Sequence, residues 1–198
     1  EISLEELKKH LFFSDKDPSA IVYHWSNLYR QLEKEWGFCL PKTVYDSLER
    51  GKYNIELICK RKPGTMKVLD FELKGETSET ILLNAHNCHP FQANDDISGC
   101  VVGIEVMKQL AKITNRKFTY RLLIAPELIG PVFWLDTPTV NSQSLSYTIM
   151  LKSVGNKDPL RLQESYGGQS QIDKAAHYIF RRRYETYESG PFRTQPKF

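Results

Sequence analysis

One stretch restricts the fold of this chain more than any other: an apolar strand pattern, a polar loop and a long apolar helix pattern in succession. Residues 80–85 (Thr-Ile-Leu-Leu-Asn-Ala) are largely apolar, which is typical of a central strand covered on both faces. Residues 96–111 carry apolar side chains on two stripes at helical spacing, which predicts a helix buried on two sides. A strand that leads into such a helix favours an α/β fold.

The rest of the chain predicts more strands and helices of the same kind. Apolar strands are predicted at residues 118–125 and 145–151, and helices at residues 131–135 and 172–180. Before the first central strand, the pattern predicts a hairpin of strands at 53–59 and 68–73 that extends one edge of the sheet. The sequence therefore predicts a three-layer α/β domain with a mixed, mostly parallel central sheet.

The predicted domain boundaries follow from changes in this pattern. Residues 1–50 show helical signals at 4–11, 20–35 and 41–48, so we predict an N-terminal helical segment packed on the core. Residues 51–188 form the predicted α/β domain. Residues 189–198 contain two prolines and no periodic pattern, and we predict an irregular tail there.

Composition and charge argue against several classes of protein. Hydrophobic residues make up 40% of the chain and aromatic residues 12%, as in a globular protein rather than a disordered one. The net charge is only +3 and the basic residues are spread along the chain, so we predict no nucleic-acid partner. No apolar run approaches the roughly 20 residues of a membrane span, so we predict no membrane association.

Two features favour a cytoplasmic location. The N-terminus is acidic and lacks the basic and apolar regions of a signal peptide. The four cysteines show no paired spacing, and we interpret them as reduced thiols. Nothing in the sequence specifies the oligomeric state.

Polar side chains follow the three predicted central strands. His86 ends the first strand, Glu127 follows the second and Lys152 ends the third, while Asp95 opens the helix after the first strand. Ligands in open α/β sheets bind outside the carboxyl ends of the strands, so we expect His86, Asp95 and Glu127 to converge there. Because imidazoles and carboxylates are common metal ligands, the sequence predicts a metal site at this edge.

Each of these residues also has a structural interpretation. A carboxylate at the start of a helix caps free backbone N–H groups, which would explain either Asp95 or Asp96. A single histidine at a strand end is more often a packed, hydrogen-bonded residue than a ligand. Cys88, between two histidines, is either a further metal ligand or a small buried filler.

Three separated motifs resemble those of a known family. The segments are Leu83-Asn84-Ala85-His86 with Ala93-Asn94-Asp95-Asp96-Ile97-Ser98-Gly99, then Trp36-Gly37-Phe38-Cys39-Leu40, and Pro126-Glu127-Leu128-Ile129-Gly130. The first is similar to the zinc aminopeptidase motif, and all three are similar to a branch of bacterial aminopeptidase-like proteins. The resemblance covers about residues 29–183 and occurs in the expected order.

The resemblance implies a function and a role for individual residues. His86 matches a zinc ligand, His89 is a second candidate ligand, and Asp95 matches an aspartate that bridges two metal ions. Glu127 matches the general base, which takes a proton from the water that the metal activates. The implied reaction is removal of an N-terminal residue from a peptide or cleavage of a small amide.

The chain also departs from the family pattern. Leu128 and Lys152 stand where two metal-binding carboxylates are expected, and no histidine follows His177. We therefore predict one zinc ion at most, and a ligand set that lacks a member, either because the chain is a fragment or because the site has been lost. Two hypotheses remain: a metal-dependent aminopeptidase-like hydrolase, and a non-catalytic binding or scaffold domain with the same fold.

Overall fold

The structure is a computed structural model that describes residues 1–22, 36–60, 62–90 and 92–192. It contains two compact units, Glu1–Pro63 and Gly64–Phe198. The predicted helix over residues 20–35 falls almost entirely outside the described residues. Among the residues described, no helix has the length and apolar character needed to cross a membrane.

The first unit is built from short elements. They are β1 (Ile2–Ser3), α1 (Leu4–Lys8), β2 (Leu11–Phe12), β3 (Phe38–Cys39), α2 (Lys42–Asp46) and β4 (Lys52–Tyr53). Strand β1 pairs antiparallel with β4, and β2 pairs parallel with β3. The helices predicted at 4–11 and 41–48 are present but shorter.

The predicted strand over residues 53–59 is wrong beyond Tyr53. Leu57 and Ile58 are 53% and 74% exposed and belong to no element. Alternation reflects only a local preference, and a strand needs a partner and a surface on which to bury one face. The described part of the chain offers residues 54–60 no such partner.

The second unit contains a mixed four-stranded sheet, three α-helices and a short 3-10 helix (Ser142–Ser144) in its described part. Its elements are β5 (Leu69–Leu73), β6 (Thr80–His86), α3 (Ile97–Ala111), β7 (Thr119–Ala125), α4 (Ile129–Leu135), β8 (Leu145–Met150), β9 (Arg161–Gln163), α5 (Gln171–Arg183) and β10 (Glu188–Gly190). The sheet order is β5-β7-β6-β8, with β6 parallel to both of its neighbours and β5 antiparallel to β7. This arrangement confirms an α/β fold with a mixed, mostly parallel sheet.

Two predicted details of this unit are wrong. The predicted hairpin is absent, because residues 54–59 form no strand; β5 instead pairs with β7, which is distant in sequence. Residues 188–190, partly in the predicted irregular tail, form β10, which pairs parallel with β9. Both pairings join segments that are distant in sequence, so a local pattern could not reveal them.

The core lies on both faces of the sheet. One buried cluster includes Trp134 of α4, and a second includes Met107 of α3. The strand residues are Leu82 and Leu123 in the first cluster and Leu83 and Leu122 in the second. Adjacent strand residues therefore point to opposite faces, which explains the continuous apolar pattern of β6 and β7.

Helix α3 is buried on one side, whereas two buried sides were predicted. Cys100, Gly103 and Met107 are buried, but Val101 and Ile104 are 59% and 45% exposed. The stripe that contacts the sheet is the one with small residues, since Gly103 lets the helix approach Leu122 closely. Among the described residues, no element covers the side of α3 that carries Val101 and Ile104.

A polar cluster of Asp70, Arg121 and Trp134 joins the edge strand β5 to β7 and α4. Both oxygens of Asp70 accept hydrogen bonds of 2.6 Å from Arg121, and the Trp134 indole N–H donates to Asp70 at 2.7 Å. Burial acts to raise the pKa of Asp70, but the hydrogen bonds from Arg121 and Trp134 outweigh it, so this pKa is lowered. The cluster therefore stabilises the fold while Asp70 is ionised.

We expect Asp70→Asn to lower the free energy of unfolding by about 1–2 kcal/mol at pH 7, the usual value of charge-assisted hydrogen bonds. Because the pKa of Asp70 is lowered on folding, its contribution is present above about pH 4 and disappears as the pH falls through the folded-state pKa. Urea unfolding at pH 7 and at low pH measures the difference. Asp46→Asn, in an exposed pair with Lys42, is the control and should have little effect. An equal difference at both pH values would contradict the assignment.

Candidate metal centre

The carboxyl ends of three parallel strands bring the candidate residues together. His86 is the last residue of β6 and pairs with Ala125, the last residue of β7. Glu127 lies two residues beyond β7, and Lys152 lies two residues beyond Met150 at the end of β8. The predicted convergence of His86, Asp95 and Glu127 is observed, whereas their chemical roles stay predictions.

Of the two adjacent aspartates, Asp96 is the one that caps helix α3. Its carboxylate is 0% exposed and accepts hydrogen bonds from the backbone N–H groups of His86, Gly99 and Ser153, at 3.2, 3.2 and 2.9 Å. A side chain at position 99 would strike the Leu151 carbonyl and this carboxylate, so the glycine is required there. Asp96 thus joins the ends of β6 and β8 to the start of α3, and Asp95 is free for another role.

Asp95 contacts one nitrogen of the buried His86 ring. Its Oδ1 atom lies 2.8 Å from His86 Nε2, and the Asp95 side chain is 50% exposed while His86 is 3% exposed. Asp95 therefore faces the solvent at the position where a ligand would approach the imidazole. A buried imidazole held by a carboxylate has a fixed orientation, as metal-binding histidines usually do.

Cys88 contacts the other nitrogen of the same ring. Its Sγ atom lies 3.4 Å from His86 Nδ1, and Cys88 is exposed. The interpretation of Cys88 as a buried filler is therefore wrong, because Cys88 lies in an exposed part of the loop after β6. The thiol of Cys100, which is buried, instead donates to the His86 carbonyl oxygen at 3.3 Å.

The site presents nitrogen, sulfur and oxygen donors together. His86, Cys88 and Glu127 each offer one donor atom, and these atoms lie within 4.8 Å of one another. This donor set suits zinc, which accepts imidazole, thiolate and carboxylate ligands. His89 is outside the set: its ring centroid is 6.2 Å from that of His86, and its Nδ1 faces the Pro90 carbonyl oxygen at 3.0 Å.

Lys152 is an additional charged group in the cleft. Its ammonium nitrogen lies 2.7 Å from Glu127 Oε1 and 3.8 Å from Asp95 Oδ1. Partial burial acts to lower the pKa of Lys152, but the hydrogen bond with Glu127 and the charges of Glu127, Asp95 and Asp96 outweigh it, so this pKa is raised. Lys152 therefore stays a cation at neutral pH.

The turn that carries Glu127 is strained. Leu128 has φ 63° and ψ −65°, and the Ile129 N–H donates to the Glu127 carbonyl at 2.7 Å, which defines a γ-turn of the uncommon kind. Leu128 is 54% exposed, so burial of its side chain does not explain the strain. Strained backbone of this kind is frequent at ligand-binding sites.

Sequence reasoning missed how the loop after β8 is held. The Asn94 Oδ1 atom accepts a hydrogen bond from the Gly155 N–H at 2.7 Å, and the Ser98 hydroxyl oxygen accepts one from the Val154 N–H at 3.1 Å. The signal was present, since Asn94, Asp96 and Ser98 are polar residues at alternate positions. Their backbone partners are more than fifty residues away, which no local pattern reveals.

The last histidine of the chain lies at a different place. The two ring nitrogens of His177 contact the Tyr187 hydroxyl at 3.1 Å and Glu164 Oε1 at 2.9 Å. These contacts agree with the prediction that His177 is structural.

Comparisons with known proteins assign the chain to a family. The chain belongs to the family described as "Domain of unknown function (DUF4910)", whose model matches residues 19–197. It is 28% identical over 178 residues to a Clostridium acetobutylicum protein named "Putative polysaccharide biosynthesis protein with aminopeptidase-like domain". The alignment covers 90% of this chain but only 40% of that relative.

A solved structure is similar over nearly the whole chain. The crystal structure of a "putative peptidase" from Clostridium acetobutylicum matches with a TM-score of 0.74 and 26% identity. The match covers 96% of this chain and 44% of that one. The chain thus spans less than half the length of these relatives. The name of the first relative includes an aminopeptidase-like domain, and the second protein is described as a putative peptidase.

We expect Asp96→Ala to lower the free energy of unfolding by about 3 kcal/mol, because three backbone N–H groups would lose a buried acceptor. Asp96→Asn should cost about half as much, since an amide keeps one acceptor oxygen. Denaturant unfolding measures both values. Asp158→Asn, on an exposed loop, is the control and should change the stability by less than about 0.5 kcal/mol. Equal stabilities of Asp96→Ala and the wild type would show that Asp96 is not the cap described above.

Proposed function

We propose that this chain carries the metal-binding part of an aminopeptidase-like hydrolase that acts on peptides or small amides. The observation that carries the proposal is the donor set around His86 at the carboxyl edge of the sheet. The names of the two similar proteins support the same class of reaction. The proposal includes a three-layer arrangement like that of zinc exopeptidases and, since the described cysteines are free, a cytoplasmic location.

His86 and Asp95 would hold a single zinc ion, because Nε2 and Oδ1 already lie 2.8 Å apart on the solvent side of the ring. When bound, zinc would lower the pKa of a coordinated water and polarise the carbonyl group of the substrate. His89 would join this set only if its ring turned away from Pro90. Cys88 faces the opposite nitrogen, so it would orient the imidazole unless the ion binds on that side.

Glu127 would act as the general base. Its carboxylate pairs with the Lys152 ammonium, which also lies 3.8 Å from Asp95, and it lies within 4.8 Å of a His86 ring nitrogen. The Lys152 ammonium donates a hydrogen bond of 2.7 Å to this carboxylate. Glu127 would have to exchange this partner for the attacking water.

The same ion pair favours a second candidate function. A base held at 2.7 Å by an ammonium group is poorly available, so the cleft would bind a ligand without cleaving it. In that case the chain is a non-catalytic binding or scaffold domain with the same fold.

We expect the wild-type protein to bind at most one zinc ion. His86→Ala should abolish any zinc binding, and Asp95→Asn should weaken it by about tenfold or more, since the ion loses a charged donor. Titration calorimetry and metal analysis of the purified protein measure this. His89→Ala is the matched control and should bind zinc like the wild type. Two ions per chain, or loss of binding in His89→Ala, would contradict the proposed ligands.

We expect hydrolysis of aminoacyl amides by this chain, with zinc added, to be weak or absent. The physical reasons are an incomplete ligand set and the ion pair of Glu127 with Lys152. The assay compares the wild type with Glu127→Gln, which keeps the shape of the side chain but cannot accept the proton. Robust activity that is lost in Glu127→Gln would establish the enzyme and contradict the expectation of weak turnover. Activity that Glu127→Gln does not change would come from a contaminant.

A further inference from the structure

Hydrogen bonds hold the loop that follows Lys152. The three residues after it are each held by a polar side chain from the start of α3: Ser153 by Asp96, Val154 by Ser98 and Gly155 by Asn94. The backbone of Ser153 also has φ 54°, in the left-handed region that few residues other than glycine adopt. The loop therefore fixes the position from which the ammonium group reaches into the cleft.

The ammonium group lies between two carboxylates from different elements. Asp95 comes from the loop before α3 and Glu127 from the turn after β7, and Lys152 reaches them at 3.8 and 2.7 Å. In a two-metal site, two metal ions about 3.5–4 Å apart are bound by carboxylates placed close together in this way. Here the Lys152 ammonium supplies a positive charge next to Asp95 Oδ1, the oxygen that also contacts His86.

We propose that Lys152 is a built-in cation that occupies the position of a second metal ion between Asp95 and Glu127, so that the cleft accepts a single divalent ion. Binding of the single ion rests on the proposed function, whereas the exclusion of a second ion rests on Lys152. Lys152 is a positioning residue, because it holds Glu127 and Asp95 rather than the reacting atoms.

The charge balance of the site supports this proposal. Asp95, Asp96 and Glu127 carry three formal negative charges around His86, and Lys152 carries one positive charge. The difference is two negative charges, which one divalent ion neutralises. Replacement of Lys152 by a neutral residue would leave three negative charges, and replacement by aspartate would leave four and add a further oxygen ligand.

The test is zinc binding by wild type, Lys152→Ala and Lys152→Asp, measured by titration calorimetry and by metal analysis after gel filtration. Lys152→Asp should bind one more ion per chain than the wild type. Lys152→Ala should bind its ion about tenfold more tightly, since a repelling charge a few ångströms away is removed. Lys108→Ala is the matched control, because Lys108 pairs with Glu105 on the exposed side of α3 and should leave zinc binding unchanged.

The outcomes separate this inference from the proposed function. If the wild type binds no zinc but Lys152→Asp does, the proposed wild-type metal site fails and the role of Lys152 as an excluding cation is supported. Equal stoichiometry and affinity in the wild type and both Lys152 variants, including no binding at all, would overturn the inference. Circular dichroism checks the fold, and if Lys152→Asp does not fold, the affinity of Lys152→Ala decides alone.

Discussion

The buried carboxylate of Asp96 is the interaction on which the geometry of the site depends. It accepts hydrogen bonds from backbone N–H groups at the end of β6, in the first turn of α3 and in the loop after β8. These three segments are separate in sequence, and the carboxylate links them. Because it is fully buried, each of these hydrogen bonds competes with no water. The Asp96 carboxylate thus joins the end of β6 at His86 to the loop that follows Lys152, and Asp95 lies beside it toward solvent.

The two adjacent aspartates therefore divide two tasks that the sequence could not separate. A helix start needs an acceptor for free N–H groups, and a metal site needs an exposed carboxylate, so either task explains an aspartate at this place. Burial distinguishes them: Asp96 is inaccessible and satisfied by backbone donors, whereas Asp95 is half-exposed and contacts the side chains of His86 and Lys152. Within the motif, Asp96 therefore stabilises the structure of the cleft, and Asp95 supplies a carboxylate inside it.

The sequence predicted the central sheet well because buried strands and their helices carry a dense apolar signal. Residues 80–86, 119–125 and 145–150 form strands close to the predicted bounds, and His86, Asp95 and Glu127 meet as the strand ends required. The failures are of another kind. The partner of β5, the strand β10 and the exposed stripe of α3 all depend on what lies opposite in space, which a local pattern does not encode.

The His86 imidazole stands between two chemically different neighbours, and the choice of nitrogen decides what the cleft can do. At Nε2 the ring contacts the Asp95 carboxylate, which also lies 3.8 Å from the Lys152 ammonium, and this polar, partly solvated set is suited to activating water. On the Nδ1 side lies the Cys88 thiol, which would hold zinc more firmly but move the ion away from Asp95.

One ring cannot bind one ion through both nitrogens. An ion at Nε2 therefore leaves Cys88 as the group that orients the ring, and an ion at Nδ1 gives Asp95 that task. The first arrangement keeps Glu127 free to act on a substrate, whereas the second uses Glu127 as a ligand and leaves the cleft without a base. The hydrolase function thus requires the Nε2 side, and a structural or ligand-binding function is compatible with either.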